Sequence, residues 1–167
     1  MSIAVSIWDQ IQLHVIGQRL FAVPLTSTKD LVWRPMFLVS DLYREIYECA
    51  PNTEAGLRYA RLQGDLERFV SGGPITDSYL SPIRPLARAV WEIRSRKPKP
   101  SLRVFGLFAS VNIFIGTNHQ SRPWLSDKVE WDRANRIARS EWRKLFEDQA
   151  PMQGALHELV PGAIYVR

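Results

Sequence analysis

A chain of 167 residues, 46% hydrophobic and 23% charged, has the composition of a domain that buries its own core, which excludes wholesale disorder. Twenty-two basic against 17 acidic residues leave a formal charge of +5, an excess that suits an anionic partner such as nucleic acid. A lone cysteine, Cys49, excludes an intramolecular disulfide; no apolar run nears the ~20 residues of a membrane span, and the opening MSIAVSIWDQ lacks a basic leader, so a cytoplasmic protein without membrane contact is expected.

Residues 11–25, IQLHVIGQRLFAVPL, are rich in β-branched and large apolar types and end at Pro24. They read as one or two strands. Residues 31–39, LVWRPMFLV, read as another strand, which Pro35 confines to an edge or a bend.

A helical hairpin follows. Ser40-Asp41 offers an N-cap, and Leu42, Tyr43, Ile46, Tyr47 and Ala50 recur at helical spacing until Pro51. Thr53 and Glu54 open a second helix, whose stripe of Ala55, Tyr59, Leu62, Leu66, Phe69 and Val70 predicts helix over 53–71. Gly72-Gly73-Pro74 stops it. Residues 74–89 hold three prolines and read as loop with a short helical turn.

At Ala89 the pattern changes. Residues 89–95, 102–109 and 111–117 are short runs of strand formers joined by short connections, which predicts an antiparallel meander. Ser126 and Asp127 then cap a long helix, with Glu130 at capping-box spacing. Its apolar face is Ala134, Ile137, Ala138, Trp142, Leu145 and Phe146, and Arg136, Arg139 and Arg143 form a basic stripe. A last short strand is expected at 163–166 in a loose tail.

His14, His119 and His157 are far apart and have no ligand-spaced Cys or carboxylate, so no metal or other cofactor is expected. Cys49 reads as a structural thiol. Phosphate-binding glycine loops and Gly-x-Ser-x-Gly are absent from the sequence. What stands out is a basic concentration. Between Arg84 and Arg103 there are seven basic residues and one acid, Glu92. Strand alternation sets Trp91, Ile93 and Ser95 on one face and Glu92 and Arg94 on the other, while Arg103, Phe105 and Leu107 share a face in the next strand. An antiparallel pair can then bring Arg94 and Arg103 to one side, with His119 and Arg122 in the loop after the third strand. Arginines and a histidine converging on one surface suit a phosphodiester: Arg stabilises anionic charge, and His moves a proton near neutral pH. Solvated side chains on an exposed sheet face are the competing expectation.

Three segments carry a family resemblance: Trp91-Glu92-Ile93-Arg94, Leu102-Arg103-Val104-Phe105, and Ile113-Phe114-Ile115 leading to His119 and Arg122. This stretch resembles the central sheet of the RelE/ParE/HigB toxin superfamily. The order of elements over 40–146, a helical hairpin, then the sheet, then a helix with Ala and Arg, is similar too. The loop after the third strand has His119, Gln120 and Arg122 where many members have paired lysines. A terminal catalytic tyrosine, used by some members, has no clear counterpart in Tyr165.

The resemblance implies an α+β fold: an antiparallel sheet of three to five strands, with a preceding helical hairpin and a long C-terminal helix. It implies a single domain over 1–167, in which 36–148 is the toxin-like core, 1–35 an N-terminal extension and 149–167 a tail. The implied function is the toxin of a bacterial type II toxin–antitoxin pair, cleaving mRNA without a metal, free or on ribosomes. Arg94 and Arg103 would hold the phosphate and His119 would serve as acid or base. Lys97, Lys99, Arg122, Arg136, Arg139 and Arg143 would bind RNA. The implied partners are RNA and a cognate antitoxin protein. The alternative is a non-enzymatic binding protein on the same fold, either a degenerate toxin or a gyrase inhibitor of the ParE type. A structural protein that buries its six tryptophans is the third reading.

Overall fold

The computed structural model describes residues 4–27 and 29–166. Six strands form one mixed sheet: β1 (Leu20–Ala22), β2 (Met36–Val39), β3 (Leu80–Pro82), β4 (Trp91–Ser95), β5 (Leu102–Ser110) and β6 (Ile113–Ser121). Their spatial order is β1-β2-β6-β5-β4-β3. The helices are α1 (Ile7–Ile16), α2 (Ser40–Tyr47), α3 (Glu54–Val70), α4 (Lys128–Phe146) and α5 (Leu156–Leu159), with 3-10 turns at Leu86–Arg88 and Arg122–Trp124. Among the described residues no helix is long and apolar enough to cross a membrane.

The fold is α+β, but the sheet is neither all antiparallel nor limited to five strands. β2 runs parallel to β6, pairing Met36–Leu38 with Phe114–Gly116. The reason is connectivity. The α2–α3 hairpin carries the chain across one face of the sheet to β3 at the far edge, which runs opposite to β2, and the three antiparallel steps from β3 through β4 and β5 bring β6 back beside β2 in the same direction. The meander β4–β5–β6 is antiparallel throughout.

The N-terminal region departs most from its sequence reading. Residues 11–16, the start of the run 11–25 expected as strand, belong to helix α1: Ser6 caps α1 by accepting from the Asp9 amide, and Ile11 is fully buried. Tertiary packing overrides the β propensity of the run, for Trp8 sits edge-on to Phe37 and His14 edge-on to Phe146. Only Leu20–Ala22 is strand, at the sheet edge beside β2. Conversely, β2 is an interior strand. Pro35 lies just outside it, so its missing N–H costs nothing, and its carbonyl accepts from the Phe114 amide.

The α2–α3 hairpin follows its pattern closely. The residue before α2 is Val39, which has no side-chain cap, so Ser40 and Asp41 belong to the helix itself. Thr53 caps α3 through the Gly56 amide. A side chain on Gly56 would collide with the Ala50 carbonyl, so the close turn between the helices requires glycine there. Gly72, at φ 84°, ends the second helix in the left-handed region where glycine is favoured.

Further along, the presumed loop 74–89 contains β3, and β6 runs four residues past Thr117. Asp127 caps α4 by accepting from the Glu130 amide. Among the described residues the tail makes a single bridge, Ile164 to Thr76, in place of the strand expected at 163–166, and adds the short α5.

Two layers flank the sheet. Trp91, Ile93, Val104 and Phe108 face α3, where Phe69 packs against Phe108 and Phe114. Phe105 faces α4 through Trp131, their ring centroids 6.0 Å apart.

Candidate functional site

The β4–β5 register makes Arg94 and Arg103 direct partners. The Arg94 amide points the other way, to the Tyr79 carbonyl at 2.8 Å. The two arginines therefore form a pair without mutual main-chain hydrogen bonds, the arrangement in which cross-strand side chains approach most closely. Two cations so placed need a counter-charge, and Glu92 supplies it from the same face. Its Oε1 accepts from Arg94 Nε at 2.6 Å, and its Oε2 lies 3.5 Å from Arg103 Nε.

Burial sets the character of this triad. The side chains of Glu92, Arg103 and Arg94 are 6%, 11% and 28% exposed. The arginines are thus not the solvated surface residues of the competing expectation. Burial pulls the Arg103 guanidinium below its ordinary pKa, Glu92 opposes that shift, and Arg94, Arg122 and Arg96 add to it. One carboxylate therefore stands among four arginines, and the Glu92 Oε2 and Arg103 Nε atoms are buried without a hydrogen-bond partner. Such an incompletely neutralised cluster favours an anion in its open positions.

The loop between β4 and β5 carries Lys97 and Lys99, both exposed. It is anchored from behind by a residue the sequence did not single out. Arg58 of α3, itself buried, donates to the Ser95 carbonyl and hydroxyl and to the Pro100 carbonyl, while the Ser95 hydroxyl donates to Asp65. Lys99 and Arg122 line an open depression of about 590 Å³ with Ser101 and Ser126. The Arg122 guanidinium lies 5.7 Å from the Trp131 ring and donates to the Leu125 carbonyl.

The α4 stripe lies on the same side of the sheet. Arg136 and Arg143 are exposed, and Arg139 donates to Asn135. Burial, and then the like charges of Arg88, Arg143 and Arg136, hold Arg139 below the ordinary arginine pKa. Arg88, Arg139 and Arg143 line a cleft of about 310 Å³ floored by Leu107 and Trp142. Two arginine groups, one on β4–β5 and one on α4, thus share one face.

His119 does not join them. It lies within β6, not in a loop, and its strand partner is Val104, whereas the partner of Arg103 is Gln120. Neighbours along a strand point to opposite faces, so His119 lies on the α2–α3 side. There its Nε2 is 3.0 Å from the Tyr59 hydroxyl and 3.5 Å from Glu45 Oε1, and Tyr59 donates to that same Glu45 oxygen at 3.0 Å. Burial lowers the His119 pKa below 6.5 more than Glu45 raises it. Burial, with the hydrogen bond to Glu45, pushes Tyr59 up to about 12. A neutral histidine thus faces a protonated tyrosine. The cluster lines a polar cleft of about 440 Å³ with Asp41, Asn118 and Gln120.

Sequence reasoning passed over Glu45 and Tyr59 because each satisfied a helix pattern. Only the packing of the hairpin against β6 brings them to His119. Among the described residues no three His, Cys, Asp or Glu side chains cluster as metal ligands. Comparison with protein-family profiles, curated proteins and solved structures finds no match to this chain.

Proposed function

We propose that this chain is the toxin of a bacterial type II toxin–antitoxin pair, a cytoplasmic endoribonuclease of the RelE/ParE/HigB kind acting on mRNA without a metal. One observation carries the reading: Arg94 and Arg103 stand directly opposite each other over a single buried carboxylate. The order of helical hairpin, meander and long helix agrees with the family resemblance.

In this mechanism the RNA 2′-oxygen attacks the adjacent phosphorus and the 5′-oxygen leaves. Arg94 and Arg103 hold the phosphate and stabilise the charge that builds on its oxygens. Lys97, Lys99, Arg122 and the α4 stripe track the backbone on either side. His119 lies behind the sheet, so solvent carries the proton from the 2′-oxygen and returns one to the 5′-oxygen. An antitoxin segment covering the arginine face would hold the activity off.

The position of His119 specifically favours a second reading, a binding protein on the same fold that holds RNA without cleaving it. Single-turnover incubation with mRNA, with and without translating ribosomes and with a chelator present, separates the two. Cleavage to 2′,3′-cyclic phosphate ends that Arg103→Ala slows by about 10²–10³-fold supports the toxin. Binding without cleavage supports the second reading. Absence of binding at low salt overturns both.

A further inference from the structure

Four of the six tryptophans are accounted for by packing. Trp91, Trp131 and Trp142 each meet a phenylalanine of the sheet or of α4, and Trp8 meets Phe37. Trp33 and Trp124 are 67% and 68% exposed. Trp33 lies against Gly72, past the end of α3. Trp124 closes the 3-10 turn between β6 and α4.

That turn is held from both sides. The Arg122 amide donates to the Ser101 carbonyl at 2.7 Å, and the Leu125 amide donates back to the Arg122 carbonyl at 3.1 Å. The Leu125 side chain is buried, and its carbonyl accepts from Arg122 Nη1 at 2.8 Å and from Trp131 Nε1 at 3.1 Å. Pro123 fixes φ between these anchors. The indole thus projects from a backbone that is already ordered, so a contact with its face carries little further entropic cost.

The setting is cationic. Pro123 and Ser126, which flank Trp124 and Leu125 in the chain, line the open depression of about 590 Å³ together with Lys99 and Arg122. The nearest acid in the chain, Asp127, is engaged in capping α4 through the Glu130 amide. The Arg122 guanidinium lies over Trp131, whose ring meets Phe105, two residues along β5 from Arg103. The depression therefore continues the arginine face. An exposed aromatic ring beside a basic groove is the combination that holds single-stranded nucleic acid, in which cations take the phosphates and the ring takes a base.

We propose that Trp124 is a stacking platform for one base of single-stranded RNA, with the adjoining phosphate seated in the depression between Lys99 and Arg122. This inference rests on the reading of the arginine face as an RNA surface, and adds a base contact that the arginines and lysines alone do not make. Every base has a flat π face, so the platform is tolerant of sequence. It selects unpaired RNA, since the bases of a duplex are already stacked on one another.

The test uses the whole chain carrying 5-fluorotryptophan and two probes. One is an octa-adenylate with 2′-O-methyl groups, which leaves no 2′-hydroxyl to attack; the other is an abasic octamer with the same backbone. The fluorine signal of Trp124 is the one that Trp124→Phe removes. It should shift on adding octa-adenylate and stay in place with the abasic octamer. Trp124→Ala should weaken octa-adenylate binding by about 5- to 150-fold. It should leave the salt dependence unchanged, because no charge is lost, and leave the abasic octamer unaffected. Trp124→Phe should keep most of the affinity, Trp33→Ala should change neither probe, and the thermal melts of all three variants should match that of the unaltered chain. Equal, salt-dependent binding of both probes by the unaltered chain and by Trp124→Ala would overturn the inference and leave the arginine face standing. No binding of either probe at low salt would overturn both. A Trp124 signal that moves with protein concentration in the absence of RNA would assign the ring to a contact between copies and overturn the inference as well.

Discussion

The two faces of this sheet place polar groups in opposite ways. On the α4 side, charge is concentrated and incompletely balanced, with one buried carboxylate among Arg94, Arg96, Arg103 and Arg122. On the α2–α3 side, the groups form a compact hydrogen-bonded cluster: Tyr59 lies 3.0 Å from both Glu45 and His119, and burial disfavours the charged form of His119. The first arrangement leaves positive charge available to an incoming anion. The second offers no fixed positive charge to an anion, since its one charged group is the Glu45 carboxylate that accepts from Tyr59. A single strand, β6, serves both, because Gln120 and His119 are neighbours that point to opposite sides.

If the two faces differ as described, their carboxylates carry unequal weight. Glu92→Gln should lower stability by about 2–3 kcal/mol, somewhat under the ~3–5 kcal/mol of a fully buried pair because Arg94 is partly exposed. Glu45 has a half-exposed side chain, so Glu45→Gln should cost within about 1 kcal/mol. Urea denaturation of the two variants measures this, and equal losses would erase the contrast.

A smaller effect is expected in RNA affinity. Removing Lys97, Lys99 and Arg139 together should reduce the dependence of log K on log salt by about 2, at ~0.7 for each contact with a single strand. Removing Arg44 and Arg61, exposed on α2 and α3, should leave the slope unchanged. A filter-binding series across salt concentrations decides it. A similar loss in both variants would mean that RNA does not distinguish the faces.

The smallest effect concerns pH. His119 has a folded pKa below its ordinary 6.5, so the unfolded chain takes up the proton first. Its contribution is complete above that ordinary value and is lost as the pH falls through the window beneath it. Thermal melts between neutral pH and about pH 5 should show a shallower decline for His119→Gln than for the unaltered chain. Parallel declines would place the titration elsewhere.

Much of the fold was legible because local and tertiary demands agree. The stripe from Ala55 to Val70 dictates α3, and Thr53 and Gly72 mark its ends through capping and φ. The alternation over Trp91–Ser95 and Arg103–Leu107 already sorts side chains to two faces, and an antiparallel pairing of those runs makes the meeting of Arg94 and Arg103 geometrically available. Local pattern cannot decide questions that depend on distant neighbours. Residues 11–16 open a run of strand-forming side chains, but a capped helix buries Ile11 and sets Trp8 and His14 edge-on to Phe37 and Phe146, and that burial outweighs propensity. Pro35 argues for an edge strand, yet lies one residue outside an interior one.

The candidate sites divide along the same line. Arg94, Arg103 and Glu92 lie within two adjacent strands, so sequence alone could bring them together. His119 needed the exact length and register of β6: one residue decides which face a strand side chain occupies, and no composition or spacing rule sets that residue. Glu45 and Tyr59 lie 74 and 60 positions away from His119 in the chain, and only the packing of the α2–α3 hairpin against β6 joins them. Sequence determined which residue types were at hand and which faces of each element they could occupy. Tertiary structure decided which of those faces met, because that choice rests on burial and on strand register summed over the whole sheet.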